Sequence, residues 1–306
     1  HSSQGNDAAR LYDSAGNDQF FASPHFAELK GASFANSAAG FKQVYAYATA
    51  GGHDTARLND SIGNDTLYAS PSFANLCGAG FSNSATGFDS VSAFASQGSD
   101  SATLVDSAGD DAFYAWSNYA VLRGATFNNY VNGFDSVSAL AVSGGNDWAR
   151  LYDSVGNDEY YGWSGSSLMR GLGFSNYARG FDVVLAYSQN GGADTARLYD
   201  SVGDDLFTAR SNFSQMSGAG FLNMASGFRT VYGYANSGGT DRATFQNVSE
   251  SDHVGGTGNL ASFRTETQNR WLWNFDRVTA VAATQSTPSA DMEAVDYLFD
   301  QIGNWT

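Results

Sequence analysis

Apolar and polar residues alternate along this chain in short bursts. "TARLYD" (195–200), "EYYGW" (159–163) and "VSALAV" (137–142) send every second side chain to the same side, which is the period of a half-buried β-strand. Clusters of Gly, Asn, Asp and Ser separate the bursts and read as turns. The faces are assigned by recurrence. Ala56 and Leu58 return as Ala102/Leu104, Ala149/Leu151 and Ala196/Leu198 and form an inward pair, while Arg57, Arg150 and Arg197 between them point outward.

The bursts belong to a long repeat. "ARLYDSAGND" from Ala9 comes back from Ala56, Ala102, Ala149 and Ala196, at steps of 47, 46, 47 and 47 residues. A "GF" pair marks the same period at Phe41, Phe88, Phe134, Phe181 and Phe228, with Phe275 in a degenerate sixth copy. Two further columns recur, Phe34, Phe81, Phe127, Phe174 and Phe221, each followed two residues later by Asn36, Asn83, Asn129, Asn176 or Asn223. Stacking like on like explains such columns, with rings piled in a core and asparagines bonded along a ladder. The pattern predicts an all-β fold, a right-handed parallel β-helix of about six 47-residue repeats over residues 1–282, each repeat built as two coils of roughly 23 residues. Residues 283–306 read as a C-terminal capping helix, with Pro288 in its first turn, an apolar stripe of Met292, Val295, Leu298, Phe299 and Ile302, and Gly303 at its end.

Charge narrows the partners. Thirty-one acidic against fifteen basic residues give a net charge of −16, which repels phosphate backbones and argues against a nucleic-acid partner. Lys30 and Lys42 are the two lysines and Cys77 the one cysteine, so no internal disulfide forms. No apolar run reaches the length of a membrane span. The composition suits a secreted, extracellular monomer.

The acids are placed periodically. Asp7, Asp54, Asp100, Asp147, Asp194 and Asp241 end a "GGxD" type of turn, and Asp18, Asp65, Asp111, Asp158, Asp205 and Asp252 end a "DSxGND" turn. A third column runs Asp13, Asp60, Asp106, Asp153 and Asp200 and becomes Asn247. Stacked carboxylates repel unless a cation or turn amides compensate. "DSAGNDQFF" and "DSIGNDTLY" resemble the calcium-binding nonapeptide of repeats-in-toxin proteins at its fourth, sixth and eighth positions, with Asp and Ser in place of the first two glycines. That resemblance implies calcium at Asp7, Asp18, Asp54, Asp65, Asp100, Asp111, Asp147, Asp158, Asp194 and Asp205. Aspartates that cap turns through backbone amides are the alternative.

Outward columns carry aromatic residues. Tyr68, Tyr114 and Tyr161 share one column and Trp116 and Trp163 the next, accompanied by Arg57, Arg150, Arg197, Tyr152 and Tyr199. On one flat face these rings would stack against sugars while the neighbouring polar groups take the hydroxyls. Two coils per repeat would set equivalent rings roughly 9.6 Å apart. The column Tyr47, Phe94, Leu140, Tyr187, Tyr234 and Val281 is compatible with either face. Pairs such as Arg150/Asp153 and Arg197/Asp200 recur in several copies, whereas an active site needs one copy that breaks the pattern. The sequence therefore points to a non-catalytic module for a β-linked plant or algal polysaccharide, similar in architecture and aromatic display to β-helix carbohydrate-binding modules. A calcium-stabilised adhesive repeat and a β-helix lyase or epimerase are the alternatives.

Overall fold

The computed structural model describes residues 7–306, which form an all-β, parallel β-solenoid without a helix. It comprises two compact units, His1–Trp148 with Gly173–Gly180, and Ala149–Leu172 with Phe181–Thr306. Each unit contains two sheets.

The path through unit 1 explains the 47-residue period. Strand β1 (Ala8–Tyr12) enters the first sheet. The next three, β2 (Gln19–Ser23), β3 (Phe26–Lys30) and β4 (Ala35–Ala39), form an antiparallel meander in the second sheet, and β5 (Gln43–Tyr47) returns to the first. The next copy does the opposite: β6 (Thr55–Asn59) and β10 (Ser90–Phe94) join the second sheet, and β7 (Thr66–Ser70), β8 (Phe73–Gly78) and β9 (Phe81–Thr86) make their meander in the first. In the third, β11 (Ser101–Val105) and β15 (Ser136–Leu140) lie in the first sheet, with β12 (Ala112–Ala115), β13 (Tyr119–Arg123) and β14 (Asn128–Asn132) in the second. The second sheet of unit 1 thus runs β12-β13-β14-β10-β6-β2-β3-β4.

Unit 2 repeats the scheme after β16 (Trp148–Tyr152). Its strands are β17 (Glu159–Trp163), β18 (Ser166–Gly171), β20 (Val183–Tyr187), β21 (Thr195–Tyr199), β22 (Leu206–Ala209), β23 (Phe213–Gly218) and β24 (Phe221–Ser226), while β19 (Phe174–Arg179) belongs to unit 1. There follow β25 (Thr230–Tyr234), β26 (Arg242–Val248), β27 (His253–Gly258), β28 (Leu260–Arg264), β29 (Asn269–Trp273), β30 (Arg277–Ala282), β31 (Ala290–Val295) and β32 (Leu298–Ile302). The third sheet runs β18-β17-β21-β25-β29-β28-β27-β31, and the fourth holds β16, β20, β24, β23, β22, β26, β30 and β32.

A copy therefore spends five strands, not two equal coils. Within the repeats parallel partners lie about 35 to 39 residues apart, as Ala8 opposite Gln43 and Gln43 opposite Ser82 show, and the last pair, β30 with β32, lies 21 apart, as Arg277 opposite Leu298. Because the chain crosses between sheets three times per copy, an odd number, successive copies begin on opposite sheets.

The inner faces alternate as expected. Leu11, Leu58, Leu104, Leu151 and Leu198 are buried, and the "GF" phenylalanines close the core against residues of the preceding meander: Phe88 meets Phe20 at 5.9 Å, Phe228 meets Tyr160 and Phe275 meets Phe207, each at 6.0 Å. The asparagine column does not form a ladder. Each inward side chain donates from Nδ2 across to the opposing sheet, Asn83 to the Ser23 carbonyl (3.0 Å), Asn129 to Ser70 (3.0 Å), Asn176 to Trp116 (2.9 Å) and Asn223 to Trp163 (2.8 Å). In the last copy Arg270 fills the column, fully buried, and its guanidinium reaches the Arg210 carbonyl. In the paired column Phe81, Phe127, Phe174 and Phe221 are buried and Phe34 half-buried, at meander corners on alternate sheets rather than piled on one another.

No capping helix forms. Residues 290–295 and 298–302 are strands, β31 parallel to β27 and β32 parallel to β30, joined through the buried Tyr297. The edges of β27 and β30 offer unpaired backbone groups, and satisfying them outweighs the amphipathic spacing that suggests a helix.

Replacing Asn129 by Leu keeps the volume but leaves the Ser70 carbonyl without its donor, and we expect a loss of about 1–3 kcal/mol in urea unfolding. Asn128→Leu, on the outward face, serves as the control, expected to stay within about 0.5 kcal/mol.

Candidate functional site

The acidic turns are the corners of the solenoid. Where β1 turns into β2, the "DSxGND" loop lies against the "GGxD" loop between β5 and β6. Asp13 accepts the Ala50 N–H (2.8 Å), Asn17 accepts the His53 N–H (2.9 Å), and the Asp18 N–H donates to Asp54 Oδ1 (2.7 Å). The Asp54 N–H donates in turn to Asp89 Oδ2 (2.7 Å). The same relay runs Asp65 to Asp100 to Asp135 (2.7 and 2.8 Å) and Asp205 to Asp241 to Asp276 (2.9 and 2.7 Å), and its first step joins Asp111 to Asp147 and Asp158 to Asp194. Within each "DSxGND" loop the serine donates its N–H and hydroxyl to the last aspartate, as Ser61 does to Asp65. Backbone amides and serine hydroxyls of the turns are the main donors to these acids, and His53 Nδ1 lies 3.6 Å from Asp89 Oδ2. Asp89, Asp135 and Asp276 do not belong to the three aspartate columns; their signal in the sequence is an acid directly after the recurring phenylalanine.

One carboxylate oxygen is packed rather than bonded. Asp65 Oδ1 and Asp205 Oδ1 have no hydrogen-bond partner among the described residues. They press against Gly78 and Gly218, where an added Cβ would lie 1.5 Å and 1.8 Å from the oxygen, beside the edge of Phe81 or Phe221. The positive rim of an aromatic ring is a favourable neighbour for that oxygen. Two corners also bring three carboxylates together, Asp60, Asp65 and Asp100 in unit 1 and Asp200, Asp205 and Asp241 in unit 2, with one oxygen from each within 4.8 Å of the others. Such all-oxygen sets could hold a metal ion, and hard divalent cations suit them. Among the described residues no such group forms around Asp7, Asp18, Asp54, Asp111, Asp147, Asp158 or Asp194.

Burial raises the carboxyls of Asp54, Asp100 and Asp158 above the ordinary range, with neighbouring acids adding to the effect, and pushes Asp241 up to about 6. Glu159 moves the other way, lowered chiefly by hydrogen bonding from Arg170.

The expected aromatic residues do not share one face. In unit 1, Tyr68 lies in β7 of the first sheet, whereas Arg57, Tyr114 and the adjoining Trp116 belong to the second. In unit 2, Tyr161, Trp163, Arg197 and Tyr199 lie in the third sheet, whereas Arg150 and Tyr152 lie in β16 of the fourth. The odd number of crossings separates them, so the 9.6 Å spacing between successive copies does not arise.

Two aromatic surfaces result, and they differ in how the rings are used. On the third sheet Trp163, Tyr199, Tyr234 and Trp273 stack across four adjacent strands at 5.6, 5.1 and 5.2 Å, with planes within 12° to 17° of parallel. Tyr161 stacks on Trp163 at 5.4 Å, and Glu159 bridges Arg170 (2.7 Å) and Arg197 (3.1 Å) beside it. The ring faces cover one another, as in a cross-strand ladder.

On the second sheet of unit 1, Tyr114 and Trp116 stack at 6.1 Å and 6°, and the rings beyond Tyr119 are tilted. Trp116 and Tyr119 stack at 4.3 Å, but Tyr119 meets Tyr130 at 5.9 Å and 31°, and Tyr130 meets Phe94 at 5.9 Å and 53°. The Arg57 guanidinium sits 4.1 Å over Phe94, and Phe21 meets Phe26 at 6.4 Å and 46°. The line crosses β12, β13, β14, β10, β6, β2 and β3 in order. It is flanked by two concavities, one of about 410 Å³ lined by Phe21, Phe94, Arg57, Gln19, Glu28 and Lys30, and one of about 280 Å³ lined by Tyr114, Trp116, Tyr119, Val121 and Arg123. Tyr119 and Tyr130 lay outside the columns singled out from the sequence; Tyr119 shares a column with Phe26, Phe73 and Phe213, and Tyr130 one with Tyr177, and that recurrence was their signal.

No family model matches the chain, and no curated protein and no solved structure matches it either.

The buried corner acids set a pH dependence. Their raised folded pKa values mean that protonation favours the folded state, so the stability they contribute is present below their unfolded value and is lost as pH rises through the folded one, which for Asp241 is about 6. With a chelator present, the melting temperature should increase as pH falls from about 7.5 to about 5. Asp54→Asn and Asp158→Asn, which remove the charge, should each flatten that slope in a calorimetric scan.

Proposed function

We propose that this chain is a non-catalytic polysaccharide-binding protein whose ligand lies across the strands on the outer face of the second sheet of unit 1. The observation that carries this reading is the tilted aromatic line with its two concavities. Sugar rings stack through their C–H faces on aromatic faces, and in this line Tyr130, Phe94 and Phe21 meet their neighbours at 31° to 53°, where the rings of the third sheet lie within 12° to 17° of parallel. The 410 Å³ concavity falls within the usual range for small-molecule sites, about 300–1,000 Å³. Gln19, Thr55, Ser92 and Glu28 project from its walls on four neighbouring strands and supply donors and acceptors for hydroxyls. All these side chains stand on paired strands, so the platform is held rigid before the ligand arrives and little ordering is lost on binding.

A binding rather than a hydrolytic role is supported by the carboxylates. Glu28 is the single acid among the residues lining the two concavities, while glycoside hydrolysis ordinarily uses a pair. The corner acids take a separate role in this reading: Asp60, Asp65 and Asp100, and Asp200, Asp205 and Asp241, hold calcium, which offsets their repulsion and stabilises the turns.

Phe94→Ala combined with Trp116→Ala should weaken retention on a panel of xylan, cellulose, mannan, alginate and pectin at least about tenfold, measured by depletion, with little change in melting temperature. Trp163→Ala with Trp273→Ala should do the reverse, lowering the melting temperature and sparing retention. Wild-type protein that is retained by none of the panel would reject the reading. Calcium should raise the melting temperature relative to chelator, and Asp205→Asn with Asp65→Asn should abolish the difference.

A further inference from the structure

We infer that the polysaccharide read by this face is anionic, with Arg57, Arg123 and Lys30 as the groups that recognise its charges. This rests on the binding reading of the second sheet argued above. Each concavity carries an arginine laid on an aromatic ring. Arg57 lies 4.1 Å over Phe94 with its Nε donating to Asn59 Oδ1 (3.4 Å), and Arg123 lies 5.1 Å over Tyr114 with Nη2 donating to the Tyr114 hydroxyl (3.0 Å). A guanidinium held flat on a ring is weakly hydrated and keeps a planar fork ready for a carboxylate or sulfate. Lys30 lines the same concavity as Arg57.

The charges of the two concavities are unbalanced. Arg57, Arg123 and Lys30 form no ion pair among the described residues, and Glu28 is the one acid in the lining. In a chain with 31 acids and 15 bases, three cations left unneutralised on one face, against the single lining carboxylate of Glu28, reverse the local sign of charge. A neutral sugar would use the rings and the amide and hydroxyl groups without that reversal.

Spacing sets the length of the ligand. Arg57 on β6 and Arg123 on β13 are separated by three interstrand steps, through β10 and β14, or about 14 Å. A polymer whose charges recur over that distance engages both arginines at once, and the second contact is then intramolecular and raises avidity. Glu28 opposes the anion and tempers the affinity.

The test is titration calorimetry at about 0.15 M salt, where long-range repulsion by the acidic chain is screened. The titrants are polygalacturonate and alginate for carboxylates, carrageenan for sulfates, the carboxyl-reduced and desulfated forms of the same polymers, and neutral xylan and mannan. We expect one anionic class to bind at least about tenfold more tightly than its uncharged form. Arg57→Gln with Arg123→Gln should erase that preference, Glu28→Gln should tighten binding, and unchanged melting temperatures confirm that the exposed substitutions leave the fold intact. An uncharged form that binds as tightly as its parent, or a double arginine variant that keeps the preference, overturns the inference and leaves the polysaccharide reading standing. Absence of binding to every polymer overturns both.

Discussion

A backbone N–H donated into a buried carboxylate of the next loop is the contact on which each corner of this solenoid depends. Asp18 to Asp54 and Asp54 to Asp89 tie three chain segments, 35 or 36 residues apart, into one corner. These bonds are charge-assisted and lie where water does not compete, which makes them strong and costly to leave unmade. They explain why the acids recur with so little variation. The surrounding residues follow from the same need: a serine four positions back donates twice to the first acid, and a glycine clears space for its second oxygen, since a Cβ at Gly78 would lie 1.5 Å from Asp65 Oδ1. The corner is assembled from one column of each kind.

Holding many carboxylates in such corners concentrates like charge. The amides neutralise part of it, and the carboxyls of Asp54, Asp100, Asp158 and Asp241 are still held above the ordinary range, chiefly by burial and further by the neighbouring acids. A proton and a divalent cation relieve the same repulsion by different routes. Three carboxylates converge closely enough to hold a cation at two corners, and at the others backbone amides and serine hydroxyls are the donors.

The outer faces answer to fewer constraints. Inward Ala, Leu, Phe and Asn columns are held by packing and by cross-sheet bonds such as Asn129 to Ser70, whereas outward positions must only tolerate a strand. The two units use that freedom differently. The third sheet aligns Trp163, Tyr199, Tyr234 and Trp273 in one ladder whose faces are spent on each other. The second sheet scatters its rings along a line with open concavities and places unneutralised cations among them. One surface aligns its rings in face-to-face contact, and the other sets tilted rings beside two concavities that carry Arg57 and Arg123.

Strand periodicity, turn chemistry and the 47-residue period were sufficient to establish an all-β solenoid and to separate inward from outward side chains, because both depend on local geometry that each copy repeats. Ala56 and Leu58 point inward and Arg57 outward as the alternation requires. The acids were legible as turn residues for the same reason. What alternation cannot encode is which sheet a strand joins. The three crossings per copy put Tyr68 and Tyr114 on different sheets of unit 1, and made neighbours of Trp116, Tyr119, Tyr130 and Phe94, which no sequence column unites. The C-terminal segment was misleading for a related reason, since its helical spacing is a property of residues 288–303 alone while the unpaired edges of β27 and β30 that captured it are supplied by the rest of the chain. Side-chain period is local and so the sequence by itself determined it; adjacency across sheets and the satisfaction of open edges are sums over distant segments, and only the tertiary structure decided them.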